Sequence, residues 1–181
     1  MSNALRIDEI PALVKEYLAK LQDEDAEIEA IMPRVKRDQK LRRDDLFIIS
    51  RWKSGGRNLH HVAKNSSNTI ETVSAKALRS HSEVERIESL LLLSGVAYPT
   101  ASVVLHFFYD DVYPVLDFRA IASMSLAQPS QYSFDFWWDY VQTYRRLLAK
   151  ARVKYPSLSP RDLDRALWQK SKGNDAKRRQ C

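Results

Sequence analysis

The stretch from Leu90 to Phe108 constrains the fold of this chain more than any other. It opens with a run of leucines that ends one apolar helix, and a turn follows at Gly95. A second helix is predicted from Pro99, because the missing N–H of proline has no intrahelical partner at a helix start. Beyond it, apolar residues recur at the i, i+3, i+4, i+7 spacing of a buried helix face, namely Ala101, Val104, Leu105 and Phe108. The stretch predicts two buried helices joined by a glycine turn, a hairpin over residues 82–108.

Helical patterns continue over nearly all of the remaining sequence. The predicted helices span residues 7–21, 26–40, 44–53, 58–64, 69–79, 82–93 and 116–124, with further helices opening at Ser133 and at Ser159–Pro160. Pro33 predicts a break or kink, and Ser82 with Glu85 predicts a capping box. Acidic residues mark two helix ends, at Asp23–Asp25 and Asp110–Asp111. Since no alternating strand pattern of useful length occurs, we expect one all-α domain over residues 1–172 and a polar tail over residues 173–181.

Composition places the chain among globular proteins. Of its 181 residues, 44% are hydrophobic and 29% are charged, which excludes a disordered chain and a membrane-embedded one. No apolar run reaches the roughly 18 residues of a membrane span, and the N-terminus lacks the pattern of a signal peptide. Because the single cysteine is Cys181, thiols cannot build a disulfide framework, a zinc site or an iron–sulfur cluster. We expect a protein of the reducing cytoplasm.

Basic residues outnumber acidic ones, giving a formal net charge of +6 and a sequence pI of about 9.4. This balance favours a polyanionic partner such as nucleic acid or an acidic membrane surface, although a solvated surface with extra lysines explains it equally. The stretch Arg51-Trp52-Lys53, followed by Arg57-Asn58 and Lys64-Asn65, suits contacts to phosphates and bases. A solvated helix end is the alternative interpretation of this stretch.

Polar and aromatic side chains elsewhere are candidates for a site, each with a structural alternative. Asp117 is a single carboxylate within the apolar run of residues 113–120. It is either a catalytic acid or the cap of the helix that follows. His106 either faces a cleft or is a core histidine. Trp137 and Trp138 point about 100° apart on a helix, so we expect one in the core and the other in a pocket.

The hairpin and the acidic segment after it follow the pattern of a known superfamily. Leu93, Gly95, Val96 and Ala101 stand where that pattern has a leucine-rich helix end, a glycine turn and a small residue of the second helix. Residues 113–119 are similar to its Pro-Val-Asp segment, which carries the catalytic acid. This part of the chain resembles the helix-hairpin-helix base-excision glycosylases, which include 8-oxoguanine, A/G-mismatch and 3-methyladenine DNA glycosylases. The chain as a whole looks like a bacterial group with an 8-oxoguanine-glycosylase-like fold.

The resemblance implies a fold, a partner and a set of site residues. It implies a two-lobed all-α domain of the helix-hairpin-helix DNA glycosylase type, acting as a monomer on double-stranded DNA. Asp117 would stabilise positive charge on the sugar and help to activate water. Nucleic-acid binding is expected from Gly95, Val96, Ala97, Arg119, Arg51, Lys53 and Arg57. A pocket for a base that has left the duplex stack is expected from Tyr98, Pro99, Trp52, Trp138 and His106.

Departures from the superfamily's pattern limit the expected chemistry. In bifunctional members a lysine on the second hairpin helix attacks the sugar; the corresponding residue here is Pro99, which excludes lyase chemistry by that route. Ala97 replaces the second glycine, and a positive φ at this position would strain it. The segment Pro114-Val115-Leu116-Asp117 has one more residue than Pro-Val-Asp. The iron–sulfur loop of some relatives is absent and His60-His61 lacks partners at metal-ligand spacing, so we expect no cofactor and no metal.

We therefore expect a monofunctional DNA N-glycosylase that acts on a modified base through Asp117. Two alternatives come from other classes of protein. A nucleic-acid-binding or damage-sensing module would keep the fold without the chemistry, with Arg119 as a salt-bridge partner and Tyr98 and Pro99 only shaping the hairpin. A helical protein-interaction domain would make the basic surface incidental.

Overall fold

The computed structural model describes residues 4–21, 25–109 and 113–178, and every regular element in these ranges is helical. A 3-10 turn at Ile7–Glu9 precedes α1 (Ile10–Leu21), α2 (Ala26–Asp38), α3 (Arg43–Ser54), α4 (Leu59–Val62), α5 (Ser67–Arg79), α6 (Glu83–Leu91), α7 (Tyr98–Phe108), α8 (Phe118–Ser123), α9 (Phe134–Lys154) and α10 (Pro160–Arg178). The prediction of an all-α fold is confirmed. Asp23, Glu24, Asp110, Asp111 and Cys181 lie outside the described residues.

The chain divides into two compact units. In its described part the first unit consists of residues 4–21 and 114–178, with α1 and α8–α10. The second consists of residues 25–109 and Tyr113, with α2–α7. Residues 173–178, which we had assigned to a polar tail, continue helix α10. Within the three described ranges, no helix combines the length and the apolar character that crossing a bilayer requires.

Helix α10 is the centre of the first unit, because both α1 and α8 pack against it. The Ser123 hydroxyl at the end of α8 donates a hydrogen bond to the carbonyl of Leu167 over 2.6 Å. The carbonyl of Ser123 in turn accepts the N–H of Leu5 over 2.7 Å. The buried side chains of the unit include Ile10, Tyr17, Ile121, Trp137, Tyr140, Tyr144, Leu163 and Leu167. Buried apolar faces and a few side-chain bonds to the backbone thus join residues far apart in sequence.

Helix α7 is the centre of the second unit. All of its residues from Thr100 to His106 are buried, as expected of a helix that is apolar on nearly every side. Helices α2, α3 and α6 pack against it, and α5 packs against α6. The predicted helical hairpin is present as α6, a bend at residues 92–97, and α7.

Pro33 does not break helix α2, although a break was one of the two effects, break or kink, that we predicted. Helix α2 runs without interruption from Ala26 to Asp38 with Pro33 inside it. Ile28, Met32 and Val35 on this helix are buried, and α2 packs against α3 and α7. Burial of this apolar face outweighs the single backbone hydrogen bond that a proline removes.

The helix predicted over residues 116–124 begins later, at Phe118. Asp117 before it is extended, with φ −141° and ψ 138°. Hydrogen bonds to the backbone of Val115, described below, hold the preceding segment outside the helix. Asp117 therefore stands at the cap of α8 and not within its first turn.

The capping box predicted for α6 is present in a modified form. The Ser82 hydroxyl accepts the N–H of Glu85 over 3.4 Å, as predicted. The Glu85 carboxylate does not itself accept the N–H of Ser82, as it would in the standard box. It accepts a hydrogen bond from the Ser80 hydroxyl (2.6 Å), whose oxygen accepts the N–H of Ser82 (3.0 Å). A third residue thus relays the second half of the box, which the i, i+3 pattern alone does not encode.

Candidate functional site

Two asparagine side chains hold the bend between α6 and α7. Asn65 is buried, and its amide oxygen accepts the N–H of Ser94 over 2.9 Å. The Nδ2 of Asn65 donates to the carbonyls of Ser94 and Val62, each over 2.9 Å. The Nδ2 of Asn58 donates to the carbonyl of Gly95 over 2.7 Å. The carbonyl groups of Ser94 and Gly95 are thereby engaged by protein donors.

Gly95 suits the bend for two separate reasons. Its φ is +80°, a conformation that side chains with a Cβ rarely adopt. A Cβ added at this position would also lie 2.9 Å from the backbone nitrogen of Val62 and 3.0 Å from the Cβ of His61. The bend therefore packs directly against helix α4, with no room for a larger residue.

The backbone N–H groups of the bend differ from its carbonyls. Among the described residues, no backbone acceptor is bonded to the N–H of Gly95, which is half-buried, or of Ala97, which is exposed. These groups lie at the start of the 11-residue helix α7, where the helix dipole favours negative charge. The bend therefore presents free donors at a positive helix end, an arrangement that suits a phosphate or another anion.

Ala97 tolerates its position without backbone strain. Its φ is −117° and its ψ 174°, the extended conformation of a residue that precedes a helix. The concern that alanine replaces a glycine in a left-handed conformation therefore does not apply. Tyr98 is the first residue of α7 and Pro99 the second, one position later in the helix than we predicted. Both are half-buried, whereas Val96 is buried beneath the bend.

Arg51 and Trp52 of α3 line a cleft of about 320 Å³ together with Glu27, Ile28, Ile48 and Gly55. Trp52 is half-buried there, and its indole N–H donates to a carboxylate oxygen of Asp25 over 3.2 Å. Arg51 is exposed and forms an ion pair with Glu27 over 2.5 Å. Because Glu27 offsets part of the charge of Arg51, this guanidinium is less suited to a phosphate than its sequence context implied.

Lys53 and Arg57 stand at the end of α3 and in the turn after it. Lys53 is half-buried and Arg57 is exposed. Arg57 directly precedes Asn58, whose side chain bonds the carbonyl of Gly95. The fold therefore places the backbone of Arg57 one residue from a side chain that holds the α6–α7 bend.

The segment before Asp117 is fixed at its beginning by a polar cluster in the second unit. The Tyr113 hydroxyl donates to a carboxylate oxygen of Glu83 over 2.6 Å and accepts from Arg86 over the same distance. The carbonyl of Tyr113 lies 2.6 Å from Nδ1 of His106. Burial, and then the bond to Glu83, raise the pKa of Tyr113 well above its usual range, so its hydroxyl stays a donor.

The same segment is fixed again two residues later, in the first unit. The N–H of Val115 donates to a carboxylate oxygen of Asp164 over 3.2 Å. Its carbonyl accepts the hydroxyl of Tyr140 over 2.8 Å. Asp164 on α10 and Tyr140 on α9 are both buried. Both the N–H and the carbonyl of Val115, two residues before Asp117, are therefore hydrogen-bonded.

Electrostatics keep Tyr140 in its neutral form. Burial raises the pKa of Tyr140 well above its usual range, and the negative charges of Asp164 and Asp117 raise it further. The hydroxyl is therefore always available as the donor to Val115.

Asp117 has the geometry of a helix cap. Its side chain is half-buried, and one carboxylate oxygen accepts the N–H of Arg119 over 2.9 Å. The guanidinium of Arg119 lies 4.9 Å from the ring centre of Phe118 and 5.6 Å from that of Trp168. The capping role that we considered as an alternative is thus present.

The remaining predicted pocket residues have different surroundings. His106 is buried, and its bond to the carbonyl of Tyr113 is typical of a core histidine. Trp137 is fully buried, whereas its neighbour Trp138 is half-buried. The ring of Trp138 lies parallel to that of Phe134, with an interplanar angle of 9° and centres 6.4 Å apart. The guanidinium of Arg145 lies 5.2 Å from the ring centre of Trp138.

Sequence reasoning missed the residues that hold these two segments. Asn58 and Asn65 were noticed only as neighbours of basic residues, since nothing local reveals a partner some thirty positions away. Asp164 carried a detectable signal, because it stands between Leu163 and Leu167 on the apolar face of α10. A carboxylate on a buried face needs a partner, and that partner is the backbone of Val115.

In the described ranges, no group of three or more histidine, cysteine, aspartate and glutamate side chains is placed to hold a metal ion. Comparison of the chain with family models, with curated proteins and with solved structures gave no match. Function is therefore inferred from the chain's own residues and from the resemblance of its hairpin to that of the helix-hairpin-helix glycosylases.

Proposed function

We propose that this protein binds DNA through the α6–α7 bend and hydrolyses the N-glycosidic bond of a modified base with Asp117. The second unit supplies the bend, which suits the sugar-phosphate backbone, and the first unit supplies the carboxylate of Asp117. The observation that carries the proposal is the bend itself, with its carbonyls engaged by Asn58 and Asn65.

Binding is supported by the polarity of this bend. With the carbonyls of Ser94 and Gly95 engaged, the N–H groups of Gly95 and Ala97 remain to donate. A phosphate placed against them would also gain from the dipole of α7. Such a contact is independent of base sequence, as backbone contacts to nucleic acid generally are. The exposed guanidinium of Arg57 adds positive charge next to Asn58.

Hydrolysis is supported by the position of Asp117. In the proposed step the bond between the base nitrogen and the sugar C1′ breaks, and its electron pair leaves with the base, which takes up a proton. The carboxylate stabilises the positive charge that develops on the sugar. Water then bonds to C1′ and gives up a proton, which Asp117 can accept. The rigid backbone at Val115 supports this role, because a fixed charge needs no reorganisation during the reaction.

The product expected from this chemistry is an intact strand with an abasic site. Pro99 stands at the position where bifunctional relatives carry a lysine, and proline cannot form a Schiff base with the sugar. Strand cleavage should therefore require added alkali. The proposed enzyme is a hydrolase without lyase activity.

The replacement Asp117→Asn tests the catalytic assignment. Asparagine is as good a helix cap as aspartate, so α8 should remain folded, but it carries no charge. We expect base release to fall at least about a hundredfold while DNA affinity stays within about twofold of the unmodified protein. The measurement is release of free base and alkali-dependent nicking on duplexes that each carry one modified base, starting with 8-oxoguanine. Equal rates for the two proteins would remove Asp117 from the mechanism.

A module that binds nucleic acid without hydrolysis is the second candidate. It is favoured by the hydrogen bond from the N–H of Arg119 to Asp117, which gives the carboxylate a structural role. The same assays separate the candidates. Tight duplex binding by the unmodified protein with no base released from any modified duplex would select the non-catalytic module.

A further inference from the structure

Phe118 is exposed beside the proposed catalytic carboxylate. Among the described residues, the exposed large hydrophobic side chains are Val84, Leu92, Phe118 and Val153. Phe118 is the aromatic one of this set, and 56% of its surface is accessible to solvent. It follows Asp117 directly in sequence. An accessible aromatic ring at such a position suggests a contact with a ligand.

Cationic side chains surround this ring and a second one. The guanidinium of Arg119 lies over both Phe118 and Trp168, with its central carbon 4.9 Å and 5.6 Å from the two ring centres. The ammonium of Lys172 lies 4.4 Å from the ring centre of Trp168. The ring of Tyr17 packs edge to face against that of Trp168, with the ring centres 5.6 Å apart. We call Phe118, Arg119, Trp168 and Lys172 the aromatic–cationic patch.

The patch continues as a basic face along α10. Arg161, Arg165, Trp168 and Lys172 recur at the i, i+4, i+7, i+11 spacing of one helix face. The guanidinium groups of Arg161 and Arg165 each lie 5.9 Å from the ring centre of Tyr17. Asp162 pairs with Arg165 over 2.9 Å, so the charge of Arg165 is partly offset. Lys172, at the other end of this face, and Arg119 of α8 both belong to the patch itself.

Aromatic rings alternating with cations match the chemistry of one class of ligand. A nucleic-acid strand carries a negative charge on each phosphate and a flat π surface on each base. Unpaired bases stack on exposed aromatic side chains, and neighbouring phosphates pair with arginine and lysine. A paired base has its faces covered within the duplex and cannot stack in this way.

We propose that the aromatic–cationic patch binds an unpaired nucleotide of a DNA strand. The base stacks on the accessible face of Phe118, and the flanking phosphates pair with Arg119 and Lys172. This inference rests on the proposed function insofar as it requires DNA binding. It adds Phe118 and Lys172 to the residues expected to bind DNA, and it assigns the base to Phe118 and the flanking phosphates to Arg119 and Lys172.

The test compares two fluorescein-labelled duplexes of one sequence, one fully paired and one with a single bulged thymidine. Binding is followed by fluorescence anisotropy at several salt concentrations. For Phe118→Ala we expect affinity for the bulged duplex to fall about tenfold, since one stacked base is lost. Affinity for the paired duplex should change by less than about twofold. Lys172→Gln should reduce the slope of log affinity against log salt by about one, the contribution of one phosphate.

Two control variants each change a side chain outside the patch. One shortens an exposed apolar side chain, and the other removes an exposed cation. Val153→Ala changes an exposed side chain of α9, and Lys150→Gln removes an exposed cation of the same helix. Neither should affect the preference for the bulged duplex. Equal affinity of Phe118→Ala and the unmodified protein for the bulged duplex would overturn the patch while leaving the proposed function intact. Equal losses on both duplexes would overturn the assignment to an unpaired base, and no binding of either duplex by the unmodified protein would overturn both proposals.

Discussion

At the scale of single residues, the α6–α7 bend combines a constraint of the backbone with constraints of packing. Gly95 meets both, through its φ of +80° and through its contact with helix α4. Asn65 then fixes Ser94 by accepting from its N–H and donating to its carbonyl. A change at either residue would alter the bend, and the loss of folding stability can be measured without any ligand present. The bend can therefore be tested for its structural role separately from binding.

The replacement Gly95→Ala should destabilise the protein more than Gly55→Ala does. Gly55 also has a positive φ, +61°, but a Cβ there would meet no atom within 4 Å. We expect Gly55→Ala to cost about 1 kcal/mol from backbone strain alone, and Gly95→Ala about 2 kcal/mol or more, because the added Cβ also meets α4. The free energy of unfolding in urea provides the measurement. Equal losses would mean that the bend can move away from α4 at no cost.

Asp117 shows where residue-level prediction ended. Its place in an apolar run was apparent from the sequence, and both of its possible roles, catalysis and capping, were consistent with that pattern. The capping bond to Arg119 is local and could be anticipated. The bonds that Asp164 and Tyr140 make to Val115 join residues 49 and 25 positions apart, respectively, and no local pattern encodes them.

At the scale of elements, the N-terminal turn is joined to the last two helices by ion pairs. Glu9 accepts from Lys170 of α10 with both carboxylate oxygens, over 2.9 and 2.8 Å. Asp8 pairs with Lys154 of α9. The bond from Lys170 lowers the pKa of Glu9, and the bond from Lys154 lowers that of Asp8. The first unit is therefore expected to lose stability in acid.

The sign of this effect follows from linkage. A carboxyl whose pKa is lower in the folded state contributes fully to stability above its unfolded pKa, and the contribution disappears as the pH falls through the folded pKa. Between about pH 5 and pH 3, Glu9→Gln should therefore lose stability less steeply than the unmodified protein. Urea unfolding at a series of pH values measures this. Glu16→Gln, which removes an exposed pair with Lys20 on α1, is the control, and an identical slope for Glu9→Gln would refute the prediction.

Helix boundaries were predictable where the signal was local. Ser82, Ser133 and Ser159 each accept an N–H from three residues ahead, at the starts of α6, α9 and α10. Gly55 ends α3 in the left-handed conformation, directly after Ser54, the residue that follows the predicted span of 44–53. Pro33 does not break α2, because the effect of a proline depends on what the helix packs against. The local cost of a proline is fixed, whereas the compensating burial is a property of the tertiary structure.

At the scale of the whole molecule, the net charge of +6 leaves three functional classes open. A protein that neutralises DNA phosphates releases bound counterions, so its affinity falls steeply as salt rises. We expect log affinity for duplex DNA to fall linearly with log salt, by about 0.9 for each phosphate contacted. Binding titrations between about 50 and 200 mM salt measure this slope. A flat response, or no binding, would instead favour the protein-interaction domain.

The sequence by itself determined the all-α class, the helical hairpin around Gly95 and the caps that begin several helices, because these depend on periodicity and on residues within one turn of each other. It also determined that Pro99 cannot supply a lysine's chemistry. Tertiary structure alone decided how the chain forms two units, which side chains hold the bend, and how Val115 is fixed before Asp117. It also placed Trp168 and Lys172 beside Arg119. Contacts of this kind join residues far apart in the chain, and their free energy arises only once the helices have packed.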